Sequence, residues 1–440
     1  MASLNRLNNR SKFEVVLILS GICVYFFTLH FVVGSDGQTR FDTLSQLLTK
    51  GSISAERYSM IGTILSAPLW WLGSQFGAPE TWCARYNFLV FVAGLAVIYW
   101  MLREHLSRKL LNTFILLLIA GSMFPGHIFQ YFGEPFTAMA VGAGILAVSF
   151  GRPKLGWIMI VLGVANTPVF LVGLVGLVLF YAFERKRLRY LIVLPITAGL
   201  IAGECWIRRG NPFSFGYDGD AGLPTVMPYS GLAGFSYPFF FGVISILFSF
   251  GKGIFYFAPG LVLSPKEKLL SLSAELWLAY RLWICVLAGA IIAYSKWWSW
   301  YGGFFWGPRF FLIASIPAAF ALALYITTPA KSIIANACTL LVLCLSVWVS
   351  ICGPVFGQYY MEICYQNNYA LEHLCWYVPE YSVLWYPFVT AQPIDPSGIA
   401  IIFYHLIVFV YLAAPLLLEL FRQLGAKYVE LRKDIMQMRI

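Results

Sequence analysis

The chain has 440 residues, of which 60% are hydrophobic and 11% charged. A soluble domain carries about 25% charged residues, so a soluble enzyme, or a soluble head on a membrane anchor, is excluded. The net charge of +10 is dispersed in short clusters at loops and ends; that is the pattern of membrane topology, in which cytoplasmic loops are rich in Lys and Arg, and it sets nucleic-acid binding aside.

A spanning helix needs about 20 apolar residues, and such runs recur along the chain. The first, 13–34, follows Arg6, Arg10 and Lys12 and lacks a small-residue cleavage site, which predicts a retained span with its N-terminus inside. Residues 35–87 form a first outer loop. Within it YSMIGTILSAPLWWLG is apolar but short and broken by Pro68, the pattern of helices lying along the interface. Spans follow at 88–102, 110–125 and 135–150. The run 155–183 lies between the basic loops GRPK and ERKRLR and is interrupted at ANTP, 165–168. Two short helices folding back there explain both facts, because a broken helix at membrane depth needs protein or a cavity around it. Further spans are 190–206, one within 238–264, then 277–294, 308–328, 332–352 and 399–420. Outer loops fall at 207–237 and 353–398, and the charged tail 421–440 is inside as a short cytoplasmic helix. The predicted fold class is an all-α polytopic membrane protein, one domain over 1–440, with about 11–12 membrane segments.

In this arrangement most of the 30 Lys and Arg fall inside and most of the 20 Asp and Glu outside. The first bias is the positive-inside rule. The second was not imposed, and it concentrates candidate chemistry at the outer face. The stretch VVGSDGQTRFD offers Asp36, Arg40 and Asp42, although SDG is also an ordinary turn. The turn FPGHIFQYFGEPFT offers His127, Tyr131 and Glu134; an acid opening a helix is equally favoured by the macrodipole. The segment IRRGNPFSFGYDGD offers Arg208, Arg209 and Tyr217. In SKWWSWYGGFFWGPR an interfacial aromatic belt explains rings such as Trp300 and Tyr301 but not Gly302, Gly303, Gly307 and Arg309. Glycines let backbone approach a ligand, and an arginine's planar fork suits phosphate. Lys252, in GKGIFYFAP, is a charge expensive to hold in a membrane. Of nine cysteines most lie within spans; Cys364 and Cys375 share an outer loop, where an oxidising exterior would let them pair.

These residues resemble the GT-C superfamily of integral-membrane glycosyltransferases, and among them bacterial members of the mannosyl- and aminoarabinose-transferase-like kind. Four features carry the resemblance: SDGQTR just after the first span; SAPLWWLG followed by CARYNF; NPFSFGY; and GKGIFYFAPG followed by WYGGFFWGPRFFL. The resemblance spans nearly the whole chain and rests on order and topology. It implies transfer of a sugar from a polyprenyl-phosphate donor to a hydroxyl of a glycan or lipid acceptor, on the non-cytoplasmic face of a bacterial inner membrane. It implies Asp36 as the general base, with Asp42 behind it and Glu134 as a further carboxylate. The leaving phosphate needs basic partners: Arg309 first, then Lys252, Arg208 and Arg209. Arg40, His127, Tyr131, Tyr217, Trp300 and Tyr301 are the candidates for contact with the substrates. Attack opposite the leaving group would invert the anomeric centre.

The chain has SDGQ where many relatives have an Asp-Glu pair, and a single acid fits metal-independent members better. No cofactor is demanded, yet Glu134 or Asp218 beside Asp36 would make a carboxylate pair suited to Mg2+ or Mn2+. A transporter or flippase for lipid-linked saccharides is the alternative, but it would keep ionisable groups near the midplane and show inverted repeats. A polymerase or ligase of such saccharides would rely on outer Arg and His instead of an acid after the first span.

Overall fold

The structure, a computed structural model, describes residues 2–222, 224–227, 230–357, 366 and 368–437. Among these the chain is helical, with two isolated β-bridges, Val32 with Gln130 and Ala221 with Ala233. In chain order the helices are α1 (Ala2–Thr28), α2 (Asp36–Lys50), α3 (Met60–Ile64), α4 (Ala67–Gln75), α5 (Pro79–Cys83), α6 (Tyr86–Leu102), α7 (Arg108–Ala120), α8 (Glu134–Ser149), α9 (Pro153–Asn166), α10 (Leu171–Glu184) and α11 (Val193–Arg209). They continue as α12 (Phe239–Phe248), α13 (Ile254–Phe257), α14 (Lys266–Leu272), α15 (Ala274–Tyr294), α16 (Ser315–Thr327), α17 (Ile333–Phe356), α18 (Glu372–Tyr377), α19 (Tyr386–Val389) and α20 (Pro396–Gln437).

Among the described residues eight stretches are long and apolar enough to cross a membrane, and four shorter apolar helices, α8, α9, α10 and α12, fall between them. The sequence reading places about 11–12 membrane segments in this order along the chain. α7 and α16 are buried on nearly every side, as is α8 after Glu134. A helix that is apolar all round belongs at the centre, and these three form it. α8 lies along α9, α10 along α15, α17 along α20, and α7 between α1 and α16. Small residues allow the closest crossings: a Cβ on Gly144 would stand 2.8 Å from the Gly156 carbonyl oxygen, so α8 and α9 meet backbone to backbone.

The interruption at ANTP is real and has a structural reason. α9 ends at Asn166, a short 3-10 turn runs over Pro168–Phe170, and α10 leaves along a different neighbour. The Asn166 side chain occupies the break. Its Nδ2 donates to the Gly133 carbonyl (2.9 Å) and to Thr137 Oγ1 (3.0 Å), and its Oδ1 accepts from the Gly62 amide (3.1 Å). Three elements are thus tied where the helix stops.

Two segments are built differently from the sequence reading. The span within 238–264 is in pieces, α12, α13 and a 3-10 turn at Pro259–Val262, because GKG and Pro259 interrupt it. The tail is not a separate helix: α20 runs unbroken through 42 residues and past Pro415. Cys375 is disulfide-bonded, while Cys364, its proposed partner, lies outside the described residues.

Candidate active site

The chain between α1 and α2 is extended, and its Val32 pairs with the turn ahead of α8. The Val32 amide donates to the Phe129 carbonyl (2.9 Å), and the Tyr131 amide donates to the Val32 carbonyl (3.3 Å). That staple sets two helix beginnings side by side. Asp36 is the first residue of α2 and Glu134 the first of α8, and helix N-termini favour both carboxylates. Ser35, just before Asp36, has φ of 49°, a left-handed conformation that costs a non-glycine residue about 1 kcal/mol or more and is kept where surrounding structure imposes it.

Arg309 comes to these carboxylates from the far end of the chain. Its Nη2 donates to Asp36 Oδ2 at 2.6 Å and its Nε lies 3.5 Å from Glu134 Oε1. Nε also donates to the Gly302 carbonyl at 2.6 Å. The guanidinium carbon is 4.3 Å from the Phe305 ring centre, 5.1 Å from Phe132 and 5.2 Å from Phe310, and stacking of this kind adds to the hold. Among the described residues Nη1 has no hydrogen-bond partner. Burial alone would push the Asp36 carboxyl up, but Arg309, with the Tyr58 hydroxyl and Arg40, outweighs it and holds Asp36 below the ordinary carboxylate range.

These groups line a cavity of about 1280 Å3 that also takes in Arg40, Arg57, Tyr58, Glu204, Arg209, Tyr217, Lys296 and Trp297. Arg40 stacks over Tyr58 at 4.7 Å and Arg57 at 5.1 Å, and Arg57 pairs with Asp220 at 3.1 Å. Towards α10, α11 and α15 the wall is apolar: Val169, Leu171, Val172, Val175, Ile201 and Ile292. Val172, Val175 and Ile292 are 44, 39 and 52% exposed, so on this flank the cavity opens out of the bundle.

The structure brings Asp36, Glu134, Arg309, Arg40, Arg209, Tyr217 and Asp218 to one cavity. The other sequence-predicted residues lie elsewhere. Asp42 is exposed, with a hydrogen bond from Gln38 (2.9 Å). His127 is buried against Trp306, and the Tyr131 hydroxyl is 2.5 Å from Ser66 Oγ. Trp300 is buried, and Tyr301 stacks on Trp376 and donates to Glu372 (3.3 Å). Burial pushes the Glu372 carboxyl up to about 8. Lys252 is buried with its ammonium donating to three carbonyls, of Gly303 (3.0 Å), Phe305 and Gly307 (3.1 Å). It clamps the glycine-rich loop that precedes Arg309. Gly302, Gly303 and Gly307 all have positive φ, which is why that loop is glycine-rich. Arg208 and Arg209 donate to carbonyls of residues 54–58 and fix the loop bearing Arg57 and Tyr58.

Sequence reasoning missed Tyr58 and Glu204. Glu204 accepts from Ser59 Oγ (2.8 Å), the Met60 amide (2.6 Å) and Arg208 (2.9 Å). A signal existed: an acid four residues before an arginine at the end of an apolar helix is a pair on one face.

No protein-family model and no curated protein matches the chain. Solved structures do. ArnT from Cupriavidus metallidurans bound to undecaprenyl phosphate is 14% identical, with a TM-score of 0.53 over 93% of this chain and 78% of that one. The same protein in the apo state is 14% identical, with a TM-score of 0.51 over 94% and 78%. The chain therefore has the all-α, polytopic fold expected from its sequence, and shares it with ArnT.

Proposed function

We propose that the protein is a membrane glycosyltransferase that moves a sugar from a polyprenyl-phosphate donor to a hydroxyl of a glycan or lipid acceptor. One observation carries this reading: two partly buried carboxylates and a buried arginine meet in a cavity whose far wall is apolar and opens on the flank of the bundle. A substrate with a charged head and a long apolar tail fits such a cavity, and a freely soluble one does not use its apolar side. Likeness of fold to ArnT, solved with undecaprenyl phosphate, supports the same substrate class.

In this reading Asp36 is the general base. Kept ionised by Arg309, it can accept the proton of the acceptor hydroxyl, which grows acidic as its oxygen bonds the anomeric carbon. The bond from that carbon to the phosphate oxygen breaks with its electron pair, through an oxocarbenium-like transition state. The charge gathers on the departing polyprenyl phosphate, where the positive charge of Arg309, in the cavity wall, stabilises it. Attack from the face opposite the leaving group inverts the anomeric centre. Segments 35–87, 207–237 and 353–398 are then loops on the non-cytoplasmic side, and 421–440 lies in the cytoplasm of a bacterial cell.

The test supplies purified protein with a radiolabelled polyprenyl-phosphate sugar and candidate glycan and lipid acceptors. Transfer by the wild type and its loss in Asp36→Asn are expected. Wild-type rates in Asp36→Asn and Asp36→Ala would remove Asp36 as base.

A further inference from the structure

A pair of carboxylates at a sugar-transfer site invites a divalent cation, which would bind their oxygens at about 2.0–2.6 Å. Here the space between Asp36 and Glu134 is already taken. The Arg309 guanidinium reaches both, at 2.6 Å and 3.5 Å, and its Nε is shared with the Gly302 carbonyl. Three aromatic rings enclose it. The loop that supplies Gly302 and Phe305 is clamped by Lys252 through three carbonyls, so the guanidinium cannot swing aside without taking the loop along. The other acids lining this cavity have partners of their own: Asp220 pairs with Arg57 at 3.1 Å, Asp218 accepts from Ser214 at 3.3 Å, and Glu204 accepts from Ser59, the Met60 amide and Arg208. Among the described residues no three His, Cys, Asp or Glu side chains gather as a metal site.

We propose that Arg309 is the fixed cation of this site, held between Asp36 and Glu134 where a divalent ion would otherwise sit, so that sugar transfer needs no metal. The inference rests on the glycosyltransferase reading. The chemistry is consistent. Two carboxylates left facing each other would force one to take up a proton, and that would consume the base. A guanidinium stays charged at any pH a protein survives, so it holds the Asp36 carboxyl ionised and still faces the leaving phosphate with a positive charge. Glu134 becomes the second leg of the mount: it shares the charge of Arg309, so Asp36 is not its only counter-ion.

Two measurements on the full-length protein in detergent decide the matter. The first is sugar transfer before and after EDTA, with Mg2+ or Mn2+ added back. The second is Mn2+ binding followed by electron paramagnetic resonance, which does not depend on turnover. Wild-type transfer should change by less than about two-fold in EDTA, against the several kcal/mol that a working Lewis-acid metal supplies. Wild type should bind no Mn2+ at this position. Arg309→Ala should lose transfer, acquire one Mn2+ site that Glu134→Gln removes, and regain some transfer with added guanidinium chloride. The proposal falls if EDTA abolishes wild-type transfer and Mn2+ restores it, or if wild type binds an Mn2+ that Glu134→Gln releases. Should wild type transfer no sugar from any polyprenyl-phosphate donor, the glycosyltransferase reading fails, and the Mn2+ measurement still decides what occupies the seat. Should Arg309→Ala not fold, the two wild-type measurements suffice.

Discussion

Two arginines in this molecule are equally buried, each 7% exposed, yet they end up in opposite conditions. Arg208, at the end of α11, has every nitrogen employed: Nε on Ser54 O (2.8 Å), Nη1 on Tyr58 O and Glu204 Oε1 (2.5 and 2.9 Å), Nη2 on Glu56 O (2.5 Å). One carboxylate balances its charge. Arg309 faces two carboxylates, and among the described residues its Nη1 has no hydrogen-bond partner. Buried polar groups are normally satisfied, and an exception asks for a reason. A fully satisfied buried cation is a fastener. One that faces two carboxylates from the wall of a cavity is a positive charge set where an anion can arrive. Lys252, with three carbonyls on one ammonium, belongs with Arg208.

Breaking the Arg309 side of the comparison should have the largest effect on chemistry. Asp36→Asn removes the base and should lower kcat by about 10^2–10^4 per folded molecule, and because it also takes the charge from the pair with Arg309 it should lower the melting temperature as well. Glu134→Gln weakens the mount without removing the base and should lower kcat less, by about tenfold or one RT ln 10 step of 1.4 kcal/mol. If Glu134→Gln costs as much as Asp36→Asn, the two carboxylates have the wrong roles.

Breaking the Arg208 side should show up in stability instead. Arg208→Met strands the Ser54 and Tyr58 carbonyls and takes the cation from Glu204, a loss of about 3–5 kcal/mol for a buried pair stripped of one partner. Thermal unfolding in detergent should register it, while kcat per folded molecule stays within a few-fold. An Arg208→Met protein that melts normally but transfers no sugar would erase the distinction between the two arginines. Lys252→Met should fall between these cases. Loosening the loop ahead of Arg309 should lower kcat by about ten-fold through misplacement of the guanidinium, with the acceptor KM unchanged, since Lys252 does not line the cavity.

The two regions also differ in how legible they were. The fold could be read because a bilayer dictates span length and because basic loops order the spans. Likewise topology alone brings Asp36, Glu134 and Arg309 to one end. Their contact could not be read. Asp36 and Arg309 are 273 residues apart, and no local pattern encodes which arginine crosses to which acid. Arg208-Arg209 looked like a phosphate grip for the same reason that Lys252 did: a sequence shows a charge near a site but not the carbonyls that absorb it, and those carbonyls belong to loops about 50 and 150 residues away. Glycines in WYGGFFWGPR were rightly singled out, but their positive φ serves the loop that Lys252 clamps.

The smallest effect is also the finest test of what Arg309 does to Asp36. Burial pushes the Asp36 carboxyl up; Arg309 first, then Tyr58 and Arg40, bring it below its ordinary value. A depressed carboxylate contributes stability that is present above its unfolded pKa, about 3.9, and is lost as pH falls through the lower folded value. The acid limb of kcat/KM, which follows the free enzyme, should therefore lie below pH 4 and leave activity flat from there to neutrality. Arg309→Lys keeps one positive charge but replaces a planar fork by a point charge that cannot hold Asp36 and Glu134 together, so burial regains weight and the limb should move up. Tyr58→Phe removes a weaker support and should move it less, in the same direction. A wild-type limb near pH 6 would mean that burial wins at Asp36, and that Arg309 is bound there without governing its proton.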